Sequence, residues 1–363
     1  MRSGPPRQNR AIGMGDALMI IDAHSHFFPN AWPDFAERFG GVWPSIEHRA
    51  PGQAMIMLGD REFRPVDDKC WDATARLADL DRNGVAMQVI CATPVLFAYD
   101  KPVEQAVYAA RYFNDAALEI CAAGKGRLRA FAQVPMQDID AACRMVSQAV
   151  GDGHLGVQIG NHVGDRDLDD EGLITFLQHC AGEGAAVFVH PWDMMGGNRM
   201  SKWMLPWLVA MPAETQLSML SLILSGAFER LPETLRICFA HGGGSFAYLI
   251  GRVDNAWRRR DIVRKDCPEL PSSYARRMFV DSAVFSDGSL RLLADVMGSD
   301  RIVLGTDYPF PLGEEKLGAG ITGCPLLSVG EKRAMLTDNA LAFLNLSSAE
   351  SIAFGASSVS RSG

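Results

Sequence analysis

Apolar residues fall along this chain in two alternating rhythms. Short runs rich in Val, Ile and Phe, bounded by Gly, Pro and Asp, read as strands over 18–26, 86–94, 129–135, 155–160, 186–191, 235–241, 278–284 and 301–309. Between them apolar positions recur every three or four residues. That spacing predicts helices over 72–83, 103–123, 138–150, 169–183, 213–229, 246–260, 289–297 and 329–344. Strands that are apolar throughout, each followed by a helix, belong to a parallel sheet covered on both faces. Eight such units predict an α/β chain closed into a (β/α)8 barrel rather than an open doubly wound sheet. No G-x-G-x-x-G follows the first run, which argues against dinucleotide binding.

Two segments break the rhythm. Residues 40–66, with the string AMIMLGDREFRPV, predict a small β-hairpin inserted after the first strand. Residues 193–207 (DMMGGNRMSKWMLPW) predict a long loop after the fifth strand, on the rim where barrels hold substrate. The Gly/Ser-rich, aperiodic ends, 1–17 and 347–363, are expected to be disordered tails around a folded unit spanning 18–346.

Composition narrows the partners. The 363 residues are 48% apolar and 21% charged, ample for a core, and the net charge of −8 argues against nucleic acid or an anionic membrane surface. An anionic ligand must therefore be held by a local cluster of arginines. The eight cysteines lie at least 21 residues apart, so no C-x-x-C exists and a zinc ribbon or thioredoxin-like motif is excluded. The basic start MRSGPPRQNR is followed by a stretch broken by Gly13, Gly15 and Asp16, unlike a signal peptide. Apolar runs are short and interrupted, and the expectation is a cytoplasmic chain in a reducing setting.

The chemistry gathers at strand ends. His24-Ser25-His26 closes the first run, and residues i and i+2 of a strand share a face, so both imidazoles can reach one cation at ~2.0–2.1 Å. His190 (VFVHP), His241 (CFAHGGG) and Asp307 (VLGTDYP) end runs five, six and eight. Singly, these could be a core histidine, a residue before a Gly-rich turn and a turn residue before Pro309. Together, one metal centre at the barrel mouth accounts for all five. Three imidazoles and a carboxylate suit zinc, with water completing the site. No lysine occurs between Lys125 and Lys202, so a carboxylated lysine on strand four cannot bridge a second ion, and one metal is expected. His48, His154 and His179 read as structural or solvent-facing, and His162 as a weaker candidate for supporting the ligands. Trp192, Trp203 and Trp207 gather around the 193–207 loop, where Trp207 could stack on a planar substrate or simply pack in the core. The run Gly242–Gly244 reads as room for the backbone to pass close to the metal.

The strings IDAHSHFFP, CATPVLFAY, HPWDMMGG, FAHGGGSFAYLIGRVDNAW, FVDSAVF and LGTDYPFPLGE extend these single residues. From about Ile21 to Leu346 the chain resembles the amidohydrolase superfamily and, within it, the aminocarboxymuconate-semialdehyde decarboxylases. That resemblance implies a zinc-dependent, non-oxidative decarboxylase converting 2-amino-3-carboxymuconate 6-semialdehyde to 2-aminomuconate 6-semialdehyde. Carried over by position, it implies that His24, His26, His190 and Asp307 bind one zinc ion with a water. His241 would then be the general base acting on that water rather than a ligand, with Asp307 sharing in the proton chemistry. Arg64 (EFRPV) would hold a substrate carboxylate. Arg252 (GRVDNAW) would do so from a neighbouring subunit, making a homodimer the active form. Rival readings are a mononuclear hydrolase of amides or lactones, a phenolic-acid (resorcylate-like) decarboxylase, and an inactive barrel kept for binding. Two arginines favour a polyanionic substrate.

Overall fold

A computed structural model of the protein describes residues 19–347. Eight parallel strands pair in chain order: β1 (Ile20–Phe27), β2 (Val85–Ala92), β3 (Leu128–Ala132), β4 (Gly156–Gly160), β5 (Ala186–His190), β6 (Arg236–Phe239), β7 (Phe279–Asp281) and β8 (Ile302–Val303). The Ala23 amide donates to the Leu304 carbonyl at 2.8 Å and the His26 amide to the Tyr308 carbonyl at 2.7 Å, which draws the last strand onto the first. The result is the expected (β/α)8 barrel. Its helices are α1 (Ala73–Asn83), α2 (Val103–Ala123), α3 (Ile139–Asp152), α4 (Glu171–Gly182), α5 (Met211–Leu224), α6 (Phe246–Arg259), α7 (Asp287–Met297) and α8 (Asn339–Leu344). The tails expected at 1–17 and 347–363 lie outside the described residues, except Ser347.

Local chemistry sets the helix starts. The Asp72, Asp138 and Asp170 carboxylates and the Ser286 hydroxyl accept amide hydrogen bonds from the first turns of α1, α3, α4 and α7. The strands read as unbroken apolar runs because both their faces are covered. Val157, Ile159, Val187 and Val189 face the helices, while Phe131, Phe188 and Phe279 fill the barrel. Phe343 of α8 packs its ring 5.6 Å from Phe279 and 6.0 Å from Phe131, closing the barrel interior with the end of the chain.

Beneath the mouth lies a buried polar layer. Arg76, fully buried, donates to the Gln88 amide oxygen at 2.8 Å, to the Ser25 hydroxyl at 3.1 Å and to the His26 carbonyl at 2.5 Å. Gln88 donates onward to Asp22 at 2.7 Å, and Asp22 also accepts from the Thr306 hydroxyl at 2.6 Å. Buried polar groups are stable only when paired in this way. The layer joins α1, β1, β2 and the segment after β8 directly under the mouth.

Two expectations change in detail. The insert is three antiparallel strands rather than a hairpin: Pro44–Ala50, Gln53–Leu58 and Arg61–Asp67. The apolar stretch Pro206–Leu224, against expectation, is long and apolar enough to cross a membrane by length and composition. In this fold its inner face carries buried Glu214, Thr215 and Ser218 against the barrel, as in a core helix.

Candidate metal centre

Strand ends assemble the centre. His24 and His26 leave β1 on one face, with their Nε2 atoms 3.1 Å apart. Asp307 follows β8, and its amide is held by the His24 carbonyl at 3.0 Å. Its Oδ1 lies 3.0 Å from His26 Nε2 and 3.6 Å from His24 Nε2. His190 ends β5. One donor atom from each of His24, His26, His190 and Asp307 falls within 4.8 Å of the others, and the three histidines are buried. These are the four ligands expected from the sequence, now on one point in space.

The ring orientations are set from behind. His24 Nδ1 donates to Asp281 Oδ2 at 2.7 Å, and His190 Nδ1 donates to the Pro191 carbonyl at 2.9 Å. Both turn Nε2 toward the centre, and His190 Nε2 is a buried nitrogen with no hydrogen-bond partner among the described residues. An orphaned lone pair of this kind, aimed at two more imidazoles and a carboxylate, fits a divalent cation such as zinc. The protonation preferences of His26, His190 and Asp307 agree with that. Burial pushes His190 well below its ordinary pKa and His26 down to about 4, the latter against the pull of Asp307. For Asp307 burial acts upward, yet the hydrogen bond to His26 and the charges of the other imidazoles outweigh it and hold the carboxyl far below its usual range. Burial lowers His24 as well, but the Asp281 hydrogen bond and charge reverse the sign and raise it. His26 and His190 are thus held neutral beside an ionised Asp307, as a cation needs, whereas His24, held higher by Asp281, gives up its Nε2 proton less readily. No side chain of β4 belongs to the ligand group; its buried Gln158 donates to the Ala92 carbonyl at 2.6 Å.

His241 stands beside the group rather than in it. Its Nε2 is 4.0 Å from Asp307 Oδ2 and its ring lies 5.0 Å from His190, while burial lowers its pKa. Both His241 and Asp307 take left-handed backbone, φ 55° and 57°, an uncommon conformation that clusters at functional sites.

A cavity of about 1450 Å³ opens from the centre and is lined by His26, His190, His241 and Asp307 together with Arg64 and Trp207. Arg64 arrives through the insert by a device the sequence did not reveal. Ile56 pairs with Arg64 but Met57 with Glu62, so Phe63 is an extra residue, a bulge. It places two sequence neighbours, Phe63 and Arg64, on the same cavity wall. The guanidinium sits 4.3 Å over the Phe310 ring, burial lowers its pKa, and no carboxylate pairs with it among the described residues. An unpaired, part-buried guanidinium in a cavity is a ready receptor for an anion.

The other sequence candidates disperse. Arg252 is exposed on α6 and does not line the cavity of its own chain. The three tryptophans do not form one stripe: Trp192 packs on Tyr99 and lines the cavity with Trp207, whereas Trp203 is 79% exposed. His162 braces the wall, bonded to the Gly164 and Asp193 carbonyls and stacked on Trp192, and touches no ligand. In the glycine run, Gly242 and Gly244 line the cavity, and Gly244 also passes close to α5, where a methyl would collide with the Pro212 carbonyl oxygen. Asp281, fully buried behind His24, was not singled out; its only signal is an acidic residue ending an apolar strand in FVDSAVF.

Comparison with known proteins gives the family. An amidohydrolase family model matches residues 21–346. The chain is 39% identical to 2-amino-3-carboxymuconate-6-semialdehyde decarboxylase of Dictyostelium discoideum, covering 90% of this chain and 91% of that one. It is 31% identical to the protein of that name from Caenorhabditis elegans, over 90% and 94%. A gamma-resorcylate decarboxylase of Rhizobium radiobacter is 28% identical over 75% and 81%. Among solved structures, the dihydroxybenzoic acid decarboxylase of Polaromonas sp. JS666, with bound manganese and 2-nitroresorcinol, superposes with a TM-score of 0.71 at 20% identity, covering 91% and 97%.

Proposed function

Since the chain belongs to the amidohydrolase family and is a metal-dependent decarboxylase, we propose that it converts 2-amino-3-carboxymuconate 6-semialdehyde to 2-aminomuconate 6-semialdehyde without oxidation, using one zinc ion per subunit. The observation that carries this reading is the unpaired Arg64 guanidinium in the same cavity as the four-donor centre. A neutral substrate would leave that part-buried cation without an anion of its own, whereas a dicarboxylate can meet both the guanidinium and the metal centre.

Zinc, when bound, would act as a Lewis acid that lowers the pKa of water toward ~7. The protein does the rest. His24, His26, His190 and Asp307 fix where that acidity acts. His241, kept neutral by burial, takes a proton at Nε2 on the cavity side. Arg64 grips one substrate carboxylate in a two-pronged pair, its far face supported by Phe310. Trp207 offers its indole to the planar conjugated chain. In the net reaction the bond from C3 to its carboxylate breaks, carbon dioxide leaves, the electron pair stays on the carbon skeleton, and C3 receives a proton. His241 is the group placed to hold that proton and return it.

Arg252 supplies the second carboxylate grip from another copy of the chain. Supporting this, Tyr248, one turn before it on α6, is 81% exposed and lines the cavity together with exposed Leu208, leaving apolar surface uncovered there. A homodimer that covers this surface brings Arg252 toward the neighbouring mouth.

The gamma-resorcylate relative and the manganese-containing neighbour favour a second reading, a phenolic-acid decarboxylase using another divalent ion. One assay separates them. Purified protein of measured metal content is given the aminocarboxymuconate semialdehyde or 2,6-dihydroxybenzoate under anaerobic conditions, with absorbance and carbon dioxide followed. Loss of the semialdehyde chromophore with equimolar carbon dioxide supports the first reading; turnover of the phenolic acid alone replaces it. Reconstitution with zinc or manganese assigns the ion.

A further inference from the structure

Asp281 ends β7 in full burial, and all of its polar contacts are short. Oδ2 accepts from His24 Nδ1 at 2.7 Å. Oδ1 accepts from the amide of Gly242 at 2.9 Å and from that of Ala283 at 3.0 Å. A carboxylate can only accept, so the proton of the His24 ring lies on Nδ1 and the lone pair on Nε2 faces the other ligands. The Gly242 amide belongs to the turn that carries His241, four consecutive residues with positive φ from His241 to Gly244. One oxygen thus aims a metal ligand and the other anchors the backbone beside the candidate base.

We propose that Asp281 is a positioning residue that fixes the tautomer and aim of His24 for the metal and ties the His241 turn to the same carboxylate. The Ala283 bond alone would make Asp281 an ordinary turn residue. The contact with His24 Nδ1, across 257 residues of chain, is what a turn does not require. Carboxylate–histidine–metal relays of this kind typically change metal affinity 10- to 100-fold when broken.

Asp281→Asn is the discriminating variant. Its amide oxygen can still receive the Gly242 and Ala283 amides, but its NH2 then faces His24 Nδ1. Two donors cannot meet, so the ring must carry its proton on Nε2, where a ligand lone pair is needed. Zinc affinity of the metal-stripped protein, measured by competition with a chromophoric chelator, should fall by about ten- to a hundredfold. Affinity equal to the parent protein overturns the proposal. A second measurement needs no folded variant at position 281. Long-range proton–nitrogen NMR of the ¹⁵N-histidine-labelled protein should show a strongly downfield Nδ1 proton that vanishes in His24→Gln; an Nε2–H tautomer at His24 overturns the proposal as well. The inference rests on reading the four donors as a metal site. A parent protein that binds no zinc sinks that reading, whereas a parent and Asp281→Asn that bind zinc equally sink only the role of Asp281.

Discussion

His154, at the turn from α3 into β4, lies buried at the end of the barrel away from the mouth, its Nδ1 3.2 Å from the Ala149 carbonyl and its Nε2 without a partner among the described residues. Burial pushes its pKa below the ordinary 6.5. The unfolded chain therefore takes up a proton that the folded chain resists. This costs nothing above pH 6.5 and removes stability as the pH falls below it. In metal-stripped protein, urea midpoints should drop between pH 6.5 and 5, and His154→Gln should drop less; parallel curves would assign the effect elsewhere. Arg64 invites a different test. Arg64→Met should cost about 2–5 kcal/mol in kcat/KM for a dicarboxylate, mostly through KM, because a desolvated charge loses its partner. Arg64→Lys should recover only part, since an ammonium lacks the planar fork. Equal kcat/KM for Met and Arg would remove Arg64 from substrate binding.

At the level of elements, the turn after β6 shows what the glycines are for. Gly244 has φ 61°, and its Cα faces the Pro212 carbonyl, which also accepts from the Ser245 amide at 3.1 Å. Gly244→Ala should lose about 1–3 kcal/mol of stability from backbone strain alone, with a lowered Tm and a lowered kcat as His241 moves. An unchanged Tm would mean that the turn relaxes freely. The eight strand–helix units were legible beforehand because strands covered on both faces must be apolar throughout. Five candidate donors were legible because three histidine-bearing strand ends and an aspartate share one rim, and the family resemblance, not the spacing, set His241 apart from the other four. Other features left no such mark. The Phe63 bulge and the third strand of the insert depend on register against a partner strand, which a single stretch of chain does not display. Asp281 has the same local signature as any turn residue closing a strand. Its role appears only when β1 lies beside it.

For the whole molecule, the reading of a shared site makes a quantitative claim. If Arg252 serves the neighbouring mouth, Arg252→Ala and Arg64→Ala should each be inactive. An equal, fully exchanged mixture should regain about a quarter of parental activity, because half the dimers are hybrids and each hybrid restores one of its two sites. No recovery in verified hybrids would place both arginines on one subunit's site or on none. The cylinder also joins the two extremes of the described chain. Asp22 is bonded to Thr306 across 284 residues, and Asp307 sits on the carbonyl of His24. A nascent polypeptide still threaded through the ribosome thus owns two imidazoles of its centre early, a third midway, and the carboxylate only near the end. The four-donor set is therefore complete only when the final strand docks against the first.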